Sequence, residues 1–253
     1  MIGLEVSIAA KRFSAAGGAP PRLVYEDFRL SVAPGAFVCV LGPSGCGKTT
    51  LLNMIAGLDR GYEGEIALTG RAEPRIGYAF QTPRLLPWRT VLENVLLPLP
   101  AGPRPRERAR ALLAEMGLEA AAKVYPSRLS LGMQRRAALA RAFAVEPDLL
   151  LLDEPFVSLD EATADHLRDL LTGLLAAHPA TVLFVTHDSR EAVRLADRIV
   201  VLAGAPARIV HDLAVDLTAD DRKSRDVVDA FRARFISTNL DSPPRPMTEA
   251  RRE

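Results

Sequence analysis

The sequence predicts an α/β fold built around a parallel sheet. Three observations carry the prediction. Short, nearly all-apolar runs at Phe37–Leu41 (FVCVL), Leu149–Leu152 (LLLL), Thr181–Thr186 (TVLFVT) and Ile199–Ala203 read as strands buried on both faces. Segments with helical apolar spacing, Glu161–Ala177 and Ser189–Ala196, alternate with them. The first run opens directly into a glycine-rich loop, and Leu51 to Ala56 continue beyond it at helical spacing.

The chain has 253 residues, enough for one large α/β domain or two small ones. Its 48% hydrophobic and 25% charged residues are those of a globular protein. A net charge of +1 speaks against nucleic acid as a partner. No apolar run reaches the roughly 18 residues a bilayer span needs. The start, Met1 to Glu5, does not read as a signal peptide. Cys39 and Cys46 are the two cysteines, one in the buried strand and one in the loop. Neither reads as half of a disulfide, which fits a reducing compartment. Cys46 reads as a small loop residue, with redox sensitivity as the other reading.

In chain order, Leu4–Ala10 alternates as an edge strand, and a glycine-rich turn follows Phe13. Leu23–Val32 alternates again and stops at Pro34-Gly35. These two predict a small antiparallel sheet ahead of the loop-bearing strand. Gly64–Gly70 reads as a short hairpin strand, and Ile76–Ala79 with Phe80 as another buried strand. Composition shifts between Thr82 and Val145: a proline-rich stretch, a helix over Arg106–Met116, and a helix over Leu131–Val145 capped by Ser130. We read residues 82–145 as an inserted helical subdomain of a domain spanning 1–215. Residues 216–253 predict one helix near Arg225–Phe235 and a disordered polar tail.

The loop Gly42, Pro43, Ser44, Gly45, Cys46, Gly47, Lys48, Thr49, Thr50 is G-x-x-x-x-G-K-[ST], a P-loop in the strand–loop–helix setting that motif requires. Its glycines let backbone N–H groups turn around a polyphosphate, and the helix N-terminus adds about half a positive charge. Lys48 suits the β/γ-phosphates and the Thr49 hydroxyl suits Mg²⁺. The Leu149–Leu152 strand ends in Asp153 and Glu154. Carboxylates at the C-terminal end of a parallel strand point into the ligand crevice. Asp153 is placed to hold the same Mg²⁺, and Glu154 to polarise a water. Ser130 and Gly132 open a helix whose N-terminus suits an anion.

These stretches, with Gln81, Leu129-Ser130-Leu131-Gly132-Met133-Gln134, Ser158-Leu159-Asp160 and His187, stand in the order and spacing of the ABC transporter ATPases. The chain resembles that family over about residues 4–202. The resemblance implies a P-loop NTPase with a RecA-like core, an antiparallel β subdomain and an inserted α-helical subdomain. It implies a head-to-tail homodimer with ATP held between the P-loop of one copy and Ser130 and Gly132 of the other. Leu131 and Met133 depart from the family's commonest Leu-Ser-Gly-Gly-Gln signature. By position, Phe13 resembles the aromatic that stacks on adenine, with Tyr25 as the other aromatic available. Gln81 resembles the residue sensing Mg²⁺ and the attacking water, Asp160 the loop aspartate that communicates across the dimer, and His187 the γ-phosphate histidine.

Residues 81–95 (QTPRLLPWRTVLENV) narrow the resemblance to the nitrate/sulfonate/taurine import subfamily. That implies an ATP-hydrolysing subunit of an importer, peripheral on the cytoplasmic face of the membrane, serving a small anion such as nitrate, sulfonate or taurine. Its partners would be transmembrane permease subunits, met through Leu85–Trp88, and indirectly a periplasmic or extracellular binding protein. Trp88 has a second reading, as a core residue of the helical subdomain. The competing functions are a cassette for another cargo or for export, and a soluble ABC ATPase acting on nucleic acid or ribosomes. A single cassette, no long heptad run and near-zero net charge disfavour the last. A P-loop kinase or GTPase is the third class, disfavoured because the guanine-reading Asn-Lys-x-Asp is absent and because such enzymes lack the Leu-Ser-x-Gly helix.

Overall fold

The computed structural model describes residues 1–14 and 21–239. The glycine-rich turn after Phe13 falls largely outside them, as does the expected tail. Along the described chain run β1 (Gly3–Phe13), β2 (Arg22–Val32), β3 (Phe37–Leu41), α1 (Lys48–Ile55), β4 (Tyr62–Thr69), β5 (Ile76–Ala79), α2 (Val91–Leu96), α3 (Pro103–Glu115), α4 (Leu131–Ala144), β6 (Leu149–Asp153), α5 (Glu161–Ala177), β7 (Thr181–Thr186), α6 (Ser189–Leu195), β8 (Arg198–Ala203), β9 (Arg208–Ala214) and α7 (Arg225–Asn239).

The strands form two sheets. One is antiparallel, in the order β2-β1-β4; the other has six strands in the order β5-β6-β7-β3-β8-β9. In the larger sheet β5, β6, β7, β3 and β8 run parallel, and β9 closes the edge antiparallel to β8. Alternate side chains of the central strands feed opposite faces. Val38, Val40, Leu149 and Leu151 join α1 and the antiparallel sheet in one core. Cys39, Leu41, Leu150 and Leu152 join α2 to α6 in the other. All four leucines of β6 are fully buried. Each stabilises the fold by about 2 kcal/mol, which is why a run with no polar alternation makes a good central strand here.

Four elements differ from the sequence expectation. Leu4–Ala10 is no edge strand: β1 lies in the middle of its sheet, paired with β2 on one side and with β4, from beyond α1, on the other. Gly64–Gly70 is no local hairpin: β4 is longer and pairs with β1, Leu4 opposite Leu68. Within the proline-rich stretch, α2 forms behind a capping box in which Thr90 accepts from the Glu93 N–H and the Glu93 carboxylate accepts from the Thr90 N–H. Strand β9 was not expected at all. Its residues are half-exposed, as His211, or exposed, as Asp212, and carry no apolar run to announce it.

Two contacts position the functional region. Gly77 in β5 lets α4 approach closely, since a Cβ there would lie 2.4 Å from the Ala142 carbonyl oxygen. At the C-terminal end, α7 packs on α6 and the start of α5. Val228 is buried, Arg190 pairs with Asp229 at 2.9 Å, Arg225 pairs with Glu161, and Arg232 donates to the Ser189 hydroxyl.

Candidate active site

The sheet order explains why distant stretches of sequence meet. Strands β6, β7 and β3 are neighbours and parallel, so Asp153, Thr186 and Leu41 end on the same side. The loops that follow these ends make the site. After β3 the chain turns through the P-loop into α1. Gly47 caps α1 at φ 112°, where a Cβ would sit 2.7 Å from Val24 Cγ1, so only glycine fits. No side chain caps this helix end and no acid lies in its first turn. Its free N–H groups are therefore open to an anion. The buried Lys48 ammonium donates to the carbonyls of Gly42 (2.7 Å) and Pro43 (2.9 Å). From beneath, the Tyr25 hydroxyl donates to the Gly47 carbonyl at 3.0 Å.

At the end of β6, Thr49 Oγ1 donates to Asp153 Oδ1 at 3.1 Å. Asp153 is 2% exposed, and burial holds its carboxyl above the ordinary range. A hydroxyl beside a buried carboxylate is a hard-oxygen donor set of the kind Mg²⁺ takes. Glu154 follows at φ 45°, its N–H tied to the Val185 carbonyl on β7. Its carboxylate lies 3.7 Å from the Lys48 ammonium and 3.1 Å from His187 Nδ1. Phe13, Arg22, Ser44, Thr49, Gln81 and Glu154 line one cleft of about 280 Å³ over the P-loop.

The two aromatics separate cleanly. Tyr25 is fully buried and its hydroxyl is engaged, so it presents no ring face. Phe13 is 44% exposed at the cleft, with the Lys11 ammonium 4.6 Å from its centroid. Gln81, just past β5, is exposed at the same cleft.

Ser130, Gly132 and Asp160 do not line that cleft. Ser130 Oγ caps α4 by accepting from the Met133 N–H at 3.3 Å. Gly132 packs on α5, where a Cβ would meet Thr163 Cγ2 at 2.7 Å. Ser130, Gly132, Arg136, Thr163 and His166 line a separate hollow of about 320 Å³. Asp160 caps α5, accepting from the Thr163 N–H (3.0 Å) and hydroxyl (2.7 Å).

Several participants gave no readable signal in the sequence. Arg22 reaches over from β2 and donates to the Gly45 carbonyl at 2.6 Å. Glu191 on α6 shares a 2.6 Å hydrogen bond with Thr186, directly before His187, and burial pushes its carboxyl up to about 7. Arg135 on α4 is 6% exposed and turned towards the Glu154 loop. Beyond the cleft, Asn94 is buried and bonds Leu86, Arg89 and Thr90, while Arg141 bonds the carbonyls of Pro83 and Arg84. These bonds hold the Leu85–Trp88 loop with Trp88 68% exposed, so its core reading fails.

Comparison with known proteins gives the family. A family model described as "ABC transporter" matches residues 25–157. The aliphatic sulfonates import ATP-binding protein SsuB 1 of Xanthomonas axonopodis pv. citri is 45% identical over 224 residues, 85% of this chain and 86% of that protein. SsuB 2 of Paracoccus denitrificans is 43% identical over 235 residues, 93% of this chain and 91% of that protein. Among solved structures, a dimeric post-hydrolysis state of the ATP-binding cassette MJ0796 bound to ADP and Pi has a TM-score of 0.73 at 32% identity. It covers 86% of this chain and 100% of that one. The P-loop, Asp153, Glu154 and His187 lie together beyond the C-terminal ends of the neighbouring strands β3, β6 and β7. The chain belongs to the ABC transporter family, among its ATP-hydrolysing cassettes.

Proposed function

We propose that the chain hydrolyses ATP in a head-to-tail pair of copies and drives import of a sulfonate-type anion through a membrane partner. The observation that carries the hydrolytic part is the Glu154 carboxylate, held between Lys48 (3.7 Å) and His187 (3.1 Å) beside the Thr49–Asp153 pair.

ATP binds with its polyphosphate on the P-loop N–H groups and Lys48, and with its base on Phe13, on the ring face away from Lys11. Thr49, Asp153 and Gln81 would hold Mg²⁺, which supplies positive charge to the phosphate oxygens when bound. Glu154 accepts the proton of the attacking water. His187 orients Glu154 and meets the γ-phosphate. The start of α4 in a second copy, with Ser130 and Gly132, covers the γ-phosphate from the other side, and Asp160 sits at that boundary. Gln81 lies between the sheet and the helical region, where a hinge carries closure outwards. The exposed Trp88 loop is the contact for a permease on the cytoplasmic face of the membrane, and a separate binding protein would deliver the anion. Among the described residues no helix is long and apolar enough to cross a membrane.

The sulfonate reading rests on the printed names of relatives such as that of Paracoccus denitrificans. The test is co-purification with the membrane partner and its binding protein, followed by ATPase assays with alkanesulfonate, taurine and nitrate. Stimulation by alkanesulfonate above the other two supports this cargo. Stimulation by nitrate alone, or by none of the three, rejects it.

A further inference from the structure

We infer that Arg135 is a positioning residue for Glu154, fixing the loop that carries the base from the helix that starts at Ser130. Arginine brings five N–H donors in a rigid fork. Here the fork is spent almost wholly on one loop. Nη1 donates to the carbonyls of Glu154 (3.2 Å) and Pro155 (2.8 Å), and Nη2 to that of Val157 (2.6 Å). Arg135 is 6% exposed, and its Nε has no hydrogen-bond partner. A charge is taken out of water this completely only where the surroundings compensate it. Three inward-turned carbonyls do so, together with the charges of the Glu191 and Glu154 carboxylates facing it.

The loop needs such a clamp. Glu154 has φ 45° and Ser158 φ 62°, both in the left-handed region that non-glycine residues occupy at a cost. The loop's own bonds, Val157 N–H to the Glu154 carbonyl and Leu159 N–H to the Phe156 carbonyl, are long at 3.2 and 3.3 Å. Arg135 binds the carbonyls on either side of the turn, at Glu154 and at Val157. It therefore sets the direction in which the Glu154 side chain leaves the chain. A lysine has no fork to span three carbonyls, so charge alone does not replace it.

Arg135 lies just over one turn beyond Ser130 in the same helix. The inference rests on the proposed function in one respect: that Glu154 is the base and Ser130 and Gly132 serve the other copy's ATP. Each α4 then touches two sites. Its N-terminus grips the partner's nucleotide, and Arg135 holds the base for its own.

Doubly tagged mixed dimers separate these effects. In the reference dimer one copy is wild type and the other carries Glu154→Gln, so one site hydrolyses. In the first arm Arg135→Gln is placed in the copy with intact Glu154; in the second it is placed in the Glu154→Gln copy. Turnover is expected to fall about 30-fold in the first arm, as for a misplaced catalytic group, with the KM for ATP little changed. The second arm should stay near the reference. Equal losses in the two arms, or no loss in either, overturn the positioning role. If Arg135→Gln fails to fold, Arg135→Lys is run in the same arms, with the same asymmetry expected at a smaller loss. A dimer with Glu154→Gln in both copies is the control. Wild-type hydrolysis by that dimer would bring down the proposed base and this inference with it, whereas an inactive control with equal arms would bring down Arg135 alone.

Discussion

Two helix N-termini in this molecule present themselves to an anion, and they are built differently. At α1 no side chain caps the helix, and Lys48, Thr49, Asp153, Glu154 and His187 converge on it from three separate stretches of chain. At α4 a serine caps the helix, Leu131 beside it is 39% exposed, and the nearby hollow holds Arg136 and His166 but no carboxylate. The first end is furnished for chemistry within one chain. The second is furnished only for contact. The difference teaches that the charged side chains gather at one helix end while the other offers only its capped turn, the unequal halves that the proposed two-copy site calls for.

The comparison breaks most visibly at Glu154. Glu154→Gln keeps the side chain's size and removes the proposed base, so ATP hydrolysis should fall by about 10³-fold while ATP binding persists. Size-exclusion chromatography with saturating ATP should then show a trapped dimer. A monomer under those conditions contradicts the assignment of Glu154 as base.

Trp88 lies in neither half-site, which sharpens the comparison by exclusion. Trp88→Ala should weaken binding to the membrane partner by about 30-fold, the scale of an exposed aromatic anchor. Basal ATPase should stay near wild type, as the ring is 68% exposed and supports no core. Unchanged affinity for the partner in a pull-down titration rejects this surface.

The effect furthest from turnover concerns the support under His187. Burial raises the Glu191 carboxyl from 4.5 to about 7, so the folded protein binds a proton that the unfolded chain has released between those values. Stability contributed by this group is therefore full below about pH 4.5 and declines as pH rises to about 7. Glu191→Gln keeps a partner for Thr186 and removes the titration. Its stability relative to wild type should be higher at pH 8 than at pH 5, by up to about 3 kcal/mol, as read from denaturant midpoints. Parallel curves across that range contradict it.

Much of this was legible in the sequence for a physical reason. Strands β3, β6 and β7 are buried on both faces, so their apolar runs stand out, and their parallel ends fix where Lys48, Asp153, Glu154 and His187 go. Helices α4 and α5 announce themselves by their apolar spacing, α4 also by Ser130 as its cap. The missing parts depend on contacts that no local pattern records. The edge strand β9 is half-exposed and is defined by its partner β8. The pairing of β4 with β1 joins residues far apart in the chain. Arg135 reads as a solvated charge until the fold brings three carbonyls to it. Helix α2 is the exception: the Thr90–Glu93 capping box was readable, but the surrounding prolines hid it.

The claim that the site is completed by a second copy meets its most direct test in Ser130→Arg. The substitution removes an N-cap, which costs about 1 kcal/mol and should leave the fold intact. It also places a bulky side chain where the partner's ATP would sit. Nucleotide binding by the monomer should remain within about twofold of wild type, while ATP-driven dimerisation and hydrolysis fall to background. Hydrolysis at the wild-type rate by Ser130→Arg would contradict the account.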